Sequence, residues 1–334
     1  MASLLPPDEL DQLANVDPEI GGVLEHMPPS RMGDLSPAER IKQMRIGFDS
    51  IPLPDSVPQV QEQRTSYTTR DGTTLRMLIY RPSSVSSPLP LFVWYHGGGL
   101  CIGRPEIDKE LCQDIVVRTQ CVVIAPQYRL APEYKYPIPI DDSWDALQHI
   151  VVHAQDHGAN LECGFVIGGE SAGAVISSLL CLQARDKNLS SPITGAFLSA
   201  GSYLDPNNIP EKYKPHYRSR YSAACLTSPM LSKESKEAFD FCHQGDYSSP
   251  AYRSALAPNA HEGLPRTYFQ TCGMDINRDE TFIYQHILQE SGVETKLDVY
   301  PGCPHCFWFM FSETEQGRKW KQDTQKGLSW LLAR

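Results

Sequence analysis

The fold turns on the segment Phe165-Val166-Ile167-Gly168-Gly169-Glu170-Ser171-Ala172-Gly173. Residues 165–168 are short, apolar and closed by glycine, the character of a strand covered on both faces. A helical run of small and apolar residues begins at Ala172. Between the two, Gly-x-Ser-x-Gly places a serine on a sharp strand-to-helix reversal. Such a reversal needs neighbours without a bulky Cβ two residues before and after the serine. The helix starting there turns its N-terminal N–H groups and positive dipole end towards the hydroxyl. A reactive serine is therefore the first expectation.

Moving outward, strand-like runs occupy residues 75–80, 89–95, 121–126, 194–200, 267–271 and 296–300, each β-branched or aromatic and bounded by Gly or Pro. Helical spacing covers 106–119, 141–157, 171–186, 278–290 and 316–332. Strands separated by helices imply βαβ units and a mostly parallel sheet. The first sixty residues read differently. Helix-like stretches at 8–16, 18–27 and 36–50 are broken by Pro28-Pro29, Pro52 and Pro54, and Ser36, Pro37 and Glu39 form a capping signature. They are expected to lie on the sheet domain rather than fold alone. The Tyr-, Pro- and Lys-rich segment 205–250 interrupts the alternation; with 1–60 it is the natural lid, leaving 61–334 as the catalytic domain.

A serine nucleophile needs a base, an acid to orient the base, and donors for a developing oxyanion. His96-Gly97-Gly98-Gly99 follows the strand at 89–95, and its backbone can offer the N–H groups of Gly98 and Gly99, with that of Ala172, to an oxyanion. His96, Gly97 and Glu170 are expected to support these loops. Asp275 directly follows the strand at 267–271, and His305 the strand at 296–300. Both thus sit at carboxyl ends of strands, where open α/β sheets build their sites. Asp279 and Asp298 compete with Asp275, but the first falls in a predicted helix and the second in a predicted strand.

These motifs, with Tyr128-Arg129-Leu130-Ala131-Pro132-Glu133, Pro137 and Asp141, resemble the hormone-sensitive lipase family of α/β-hydrolases. Asp275-Ile276-Asn277-Arg278-Asp279-Glu280 is similar to that family's segment around its catalytic Asp. The likeness runs from about residue 66 to the C-terminus, with four motifs in the right order. It implies an α/β-hydrolase fold: a mostly parallel, eight-stranded sheet flanked by helices, with a helical cap from 1–60 and 205–250. It further implies Ser171, Asp275 and His305 as triad, ester hydrolysis without cofactor or metal, and a pocket between cap and sheet for a small-molecule ester. Glu170, where many members have Asp, is one departure; the cysteine pair in Cys303-Pro304-His305-Cys306 is another. The layout loosely resembles fungal short-chain esterases that act on secondary metabolites. A serine carboxylic-ester hydrolase is the expected function. An acyltransferase, cyclase or elimination catalyst on the same triad is the alternative, and a binding protein on a hydrolase scaffold a remote one, since all three triad residues are present.

Composition agrees. With 334 residues, 41% hydrophobic and 21% charged, the chain can bury a sizeable core. Forty acidic against 30 basic side chains give a net charge of -10, which repels phosphate backbones and argues against a nucleic-acid partner and a polybasic membrane anchor. The N-terminus has no basic, then apolar, leader, the C-terminus is not Ser-Lys-Leu, and the apolar run 173–182 is far shorter than the roughly 20 residues of a membrane span. Ten cysteines without a leader are expected as free thiols, so the protein is expected in the cytoplasm, and a homodimer is compatible with all of this.

Four further signals are read conservatively. Cys303-Pro304-His305-Cys306 matches a thiol–disulfide motif, but too little chain follows for a thioredoxin-like unit; oxidation distorting the His305 loop is the weaker version. His149, His153 and His157 recur every four residues without the Glu of a zinc motif and are expected on a solvated or capping face. Trp308, Phe309 and Phe311 are expected to pack against the last helix, and residues 213–221 to form lid surface.

Overall fold

The computed structural model describes residues 4–26, 35–84, 88–257 and 261–333. Its eight strands are β1 (Val60–Thr68), β2 (Thr74–Pro82), β3 (Leu91–Tyr95), β4 (Val122–Pro126), β5 (Phe165–Glu170), β6 (Gly195–Ser199), β7 (Arg266–Cys272) and β8 (Thr295–Tyr300). The helices are α1 (Pro7–Gln12), α2 (Pro18–Leu24), α3 (Pro37–Asp49), α4 (Lys109–Thr119), α5 (Ile138–His153), α6 (Ala172–Asp186), α7 (Ala223–Leu226), α8 (Lys233–His243), α9 (Arg278–Glu290) and α10 (Glu315–Leu332).

The strands form one sheet in the order β1-β2-β4-β3-β5-β6-β7-β8. β2 runs antiparallel to both neighbours and every other pair is parallel. β3, β4, β5 and β6 are buried at every position, which is why they read as unbroken apolar runs. On one face Ile124, Ile167 and Phe269 pack with Trp144, Leu147, Ile176, Leu180, Ile283 and Tyr284 from α5, α6 and α9. On the other, Phe92, Trp94, Val166 and Phe197 meet Ile115 and Val116 of α4 and Leu328 and Leu331 of α10.

β1 has no counterpart in the sequence reading. It is a polar edge strand in which only Val60 and Tyr67 are buried, so it carries no apolar alternation, and its register comes from pairing with β2.

Helix ends follow local chemistry. Ser36 and Glu39 complete a reciprocal capping box at α3, Asp17 caps α2 and Thr314 caps α10. The stretches read at 8–16 and 18–27 stop at Gln12 and Leu24; Met27 and Pro28-Pro29 lie outside the described residues. The helix read over 141–157 starts at Ile138 and ends at His153, and His157 sits in a separate 3-10 turn.

α3 and α8 pack together through Ile41, Ala238 and Phe239 onto Cys101, Ile102, Ala131 and Ile276. All four of these lie in loops that follow the carboxyl ends of β3, β4 and β7. The link between α1 and α2 is stitched to the loop after β8, where Gly302 donates to the Leu13 carbonyl (2.8 Å) and accepts from the Asp17 N–H (3.1 Å). No helix among the described residues is long and apolar enough to cross a membrane.

Candidate active site

Ser171 sits between β5 and α6 with φ 51° and ψ −116°, a backbone conformation a side chain adopts only under constraint. The constraint is visible: its N–H donates to the Ser199 carbonyl (2.8 Å) and its carbonyl accepts from Val175 (3.2 Å), opening α6. A Cβ added at Gly173 would overlap the Tyr95 carbonyl oxygen, so the elbow closes only with glycine there.

His305, in the loop after β8, bridges the other two residues. Its Nε2 lies 2.9 Å from Ser171 Oγ and its Nδ1 2.6 Å from Asp275 Oδ2. Asp275 is fully buried, and its second oxygen accepts the Asn277 N–H at 2.8 Å. With Nδ1–H donated to this carboxylate, Nε2 is left to accept the serine proton. The competing carboxylates are engaged elsewhere: Asp279 with the Arg278 Nε (2.7 Å) and the Arg218 and Ser219 N–H groups, Asp298 with the Tyr268 hydroxyl (2.6 Å).

The glycine loop folds back beside the serine. Gly98 has φ +110°, and its carbonyl accepts from the N–H groups of both Cys101 (3.0 Å) and Ile102 (2.9 Å). An added Cβ would overlap the Ile102 carbonyl oxygen. Among the described residues none accepts the N–H of Gly98 or Gly99, and Ala172, first in α6, has no intrahelical acceptor. These N–H groups are free to receive an anion. His96 braces the loop: its Nδ1 lies 2.7 Å from the Gly97 carbonyl, and its ring stacks on Tyr128 at 4.3 Å. Burial pushes the His96 imidazole down to about 4, so it stays neutral.

Beneath the elbow Glu170 is buried and accepts the Trp308 indole N–H at 2.9 Å. That bond ties the turn carrying Ser171 to the loop carrying His305. Burial, with the Asp108 charge, raises the Glu170 carboxyl well above its ordinary value. Asp108, buried and bonded to the Trp94 indole at 2.7 Å, is pushed up to about 7 by burial.

Trp308 stacks on Trp320 of α10 at 4.6 Å, Phe311 is buried, and Phe309 is 44% exposed and so departs from the packing expected of it. Cys303 and Cys306 are buried free thiols whose protonated form burial favours, the reverse of a reactive redox pair. The His149 and His153 rings lie 4.4 Å apart and His157 is buried; no group of three or more His, Cys, Asp or Glu that could hold a metal ion occurs among the described residues. The lid-surface expectation for 213–221 is corrected at Tyr213 and Tyr217, which are buried, the second through a bond to Glu280 (3.0 Å). Only Tyr221 of those tyrosines is exposed.

Sequence reasoning also missed Arg45. From α3 its Nε donates to the Cys101 carbonyl (2.7 Å), and its two Nη atoms grip Glu133 bidentately (2.7 Å each). It thus clamps the glycine loop to the Tyr128–Glu133 segment. The pair is 88 residues apart, and no local pattern signals it.

Known proteins share this architecture. A family model described as the alpha/beta hydrolase fold matches residues 92–309. An AB hydrolase superfamily protein of Schizosaccharomyces pombe is 30% identical over 339 residues, spanning all of this chain and 98% of that protein. The versiconal hemiacetal acetate esterase of Dothistroma septosporum is 29% identical over 88% of this chain and 89% of its own. The crystal structure of vibralactone cyclase superposes with a TM-score of 0.90 at 28% identity, covering 99% of this chain and 98% of that one. The chain therefore belongs to the hormone-sensitive lipase-like family of α/β-hydrolases.

Proposed function

We propose that the protein is a serine carboxylic-ester hydrolase working through an acyl-enzyme, with Ser171 as nucleophile, His305 as base and Asp275 as orienting acid. The observation that carries the reading is His305 bridging a buried carboxylate at 2.6 Å and the elbow serine at 2.9 Å. Ser171 Oγ attacks the ester carbonyl carbon as its proton passes to His305 Nε2, and Asp275 supports the imidazolium. The free N–H groups of Gly98, Gly99 and Ala172 receive the oxyanion. The C–O bond then breaks, and His305 protonates the departing alcohol. Water, deprotonated by the same imidazole, attacks the acyl-enzyme and releases the acid. Residues 1–60 and 205–250 act as the cap that dries and shapes the pocket.

The substrate is a small to medium ester. The likeness to an esterase named for an acetate ester supports a short acyl chain and a secondary metabolite. A second reading has one specific support, the cyclase that superposes at 0.90: if the substrate's own hydroxyl replaces water at the acyl-enzyme, the product is a lactone.

Hydrolysis of 4-nitrophenyl esters from two to twelve carbons tests the first reading, and a hydroxy ester separates the two. The wild type is expected to favour the short chains, and Ser171→Ala to lose at least about 10⁴-fold. Wild-type-level turnover by that variant overturns the assignment; lactone in place of acid from a hydroxy ester favours the second reading.

A further inference from the structure

Three cationic side chains are buried beside this site. Arg253 is 2% exposed and Lys236 8%, and the Arg220 side chain is 12% exposed. Two of them bond to segments that hold the triad, and the third lies on the helix packed over the glycine loop. Arg253 donates to the carbonyl of Ser202 (3.1 Å), just beyond the Ser199 carbonyl that holds the Ser171 N–H. Arg220 donates to Asn277 Oδ1 (3.0 Å), whose N–H holds Asp275. Lys236 shares α8 with Phe239, the ring packed on Gly99.

The neighbouring carboxylates are already engaged. Glu280 accepts from the Ser202 hydroxyl, the Tyr203 and Leu204 N–H groups, the Tyr217 hydroxyl and Arg220, all within 2.7–3.0 Å. Asp240 accepts from Lys236 and the Tyr247 hydroxyl. Asp279 is paired with Arg278 at 2.7 Å. Among the described residues Arg253 forms no ion pair with a carboxylate. Its guanidinium packs against the rings of Tyr247 (4.2 Å) and Tyr252 (4.5 Å), which meet edge to face at 5.3 Å, and among the described residues Ser202 is its one hydrogen-bond acceptor. The Arg220 Nε is likewise without an acceptor among them. Burying a guanidinium with most of its five donors unused is costly. Burial, with the Arg220 and Arg253 charges, also pushes the Lys236 ammonium down to about 8 against the pull of Asp240.

Three cations facing Glu280 and Asp240 leave a surplus of one positive charge, which one planar, singly charged anion would balance, and the guanidinium fork matches a carboxylate. We propose that this group, with Arg253 as its specificity-determining residue, recognises a carboxylate carried by the substrate, so that the preferred ester is an acid ester. The inference rests on Ser171 being the nucleophile of an ester hydrolase and adds the substrate class.

The test compares two acid esters with their uncharged primary amides: mono(4-nitrophenyl) glutarate, with the carboxylate on the acyl side, and 4-acetoxybutyrate, with it on the alcohol side. In the wild type kcat/KM for at least one acid is expected to exceed that of its amide by about tenfold or more, and Arg253→Gln to bring the ratio near one, with Arg253→Lys intermediate. Glutarate is expected to inhibit wild-type hydrolysis of a neutral ester competitively where glutaramide does not, a readout that needs no variant. Turnover of neutral esters with no preference for either acid, and no inhibition by glutarate, overturns the site while leaving the hydrolase reading intact. No turnover of any ester, with glutarate still binding the Ser171→Ala protein by calorimetry, contradicts the hydrolase reading and supports the anion site.

Discussion

The carboxyl edge of the sheet and the roof above it are held by different kinds of bond. At the edge the main chain does the holding: the Ser199 carbonyl fixes the Ser171 N–H, the Asn277 N–H fixes Asp275, and the Gly98 carbonyl closes its own loop. In the roof long side chains do it: Arg45 on Glu133 and Cys101, Arg220 on Glu280, Arg253 against two tyrosines. Backbone bonds survive most substitutions, whereas each roof contact disappears with one side chain. On the function proposed above, the difference separates a fixed reaction from an adjustable substrate choice.

The largest expected effect strikes the edge. Asp275→Asn keeps the shape of the acid but presents His305 with the wrong partner for its tautomer, and kcat is expected to fall by about 10³–10⁴-fold with the fold retained. Steady-state kinetics with circular dichroism reads this out; a loss under tenfold would show that the edge does not depend on that carboxylate. Arg45→Met probes the joint between the regions. Freed of its clamp, the Cys101 carbonyl lets the glycine loop drift, and kcat/KM is expected to drop about tenfold with kcat affected more than KM. An unchanged rate would mean that the edge positions its oxyanion donors unaided.

The smallest effect concerns stability beneath the elbow. The folded protein holds the Asp108 proton more tightly than the unfolded chain does, so the stabilisation is complete below about pH 4 and is lost as pH rises through about 7. Between those two pH values the loss is about 1.4 kcal/mol per unit from this group, with Glu170 acting in the same direction. The wild-type melting temperature is expected to fall between pH 6 and pH 8.5, and Asp108→Asn, which keeps an acceptor for Trp94, to flatten that slope. Parallel slopes would show that Asp108 is ionised throughout.

Legibility in the sequence follows the same division. Gly169-Glu170-Ser171-Ala172-Gly173 and His96-Gly97-Gly98-Gly99 are readable because backbone geometry demands small residues at fixed short spacing. Asp275 and His305 are readable because each follows a strand ending on the same edge. β1 was hidden because a polar edge strand takes its register from its partner rather than from its own pattern. Arg45 with Glu133, and Arg253 with Tyr247 and Tyr252, were hidden because nothing local marks which side chains the fold brings together. Tyr217 reads as surface from its Lys- and Arg-rich neighbours, yet Glu280 draws its hydroxyl inside.

The central claim is that Ser171 becomes acylated during turnover. Mixing the protein with 4-nitrophenyl acetate, quenching with acid within the first turnovers and mapping the digest by mass spectrometry tests it directly. One acetyl group on the peptide containing Ser171, absent from Ser171→Ala, is the expected result. Rapid turnover with no acetyl on that peptide, or an acetyl that persists in the variant, would contradict the account.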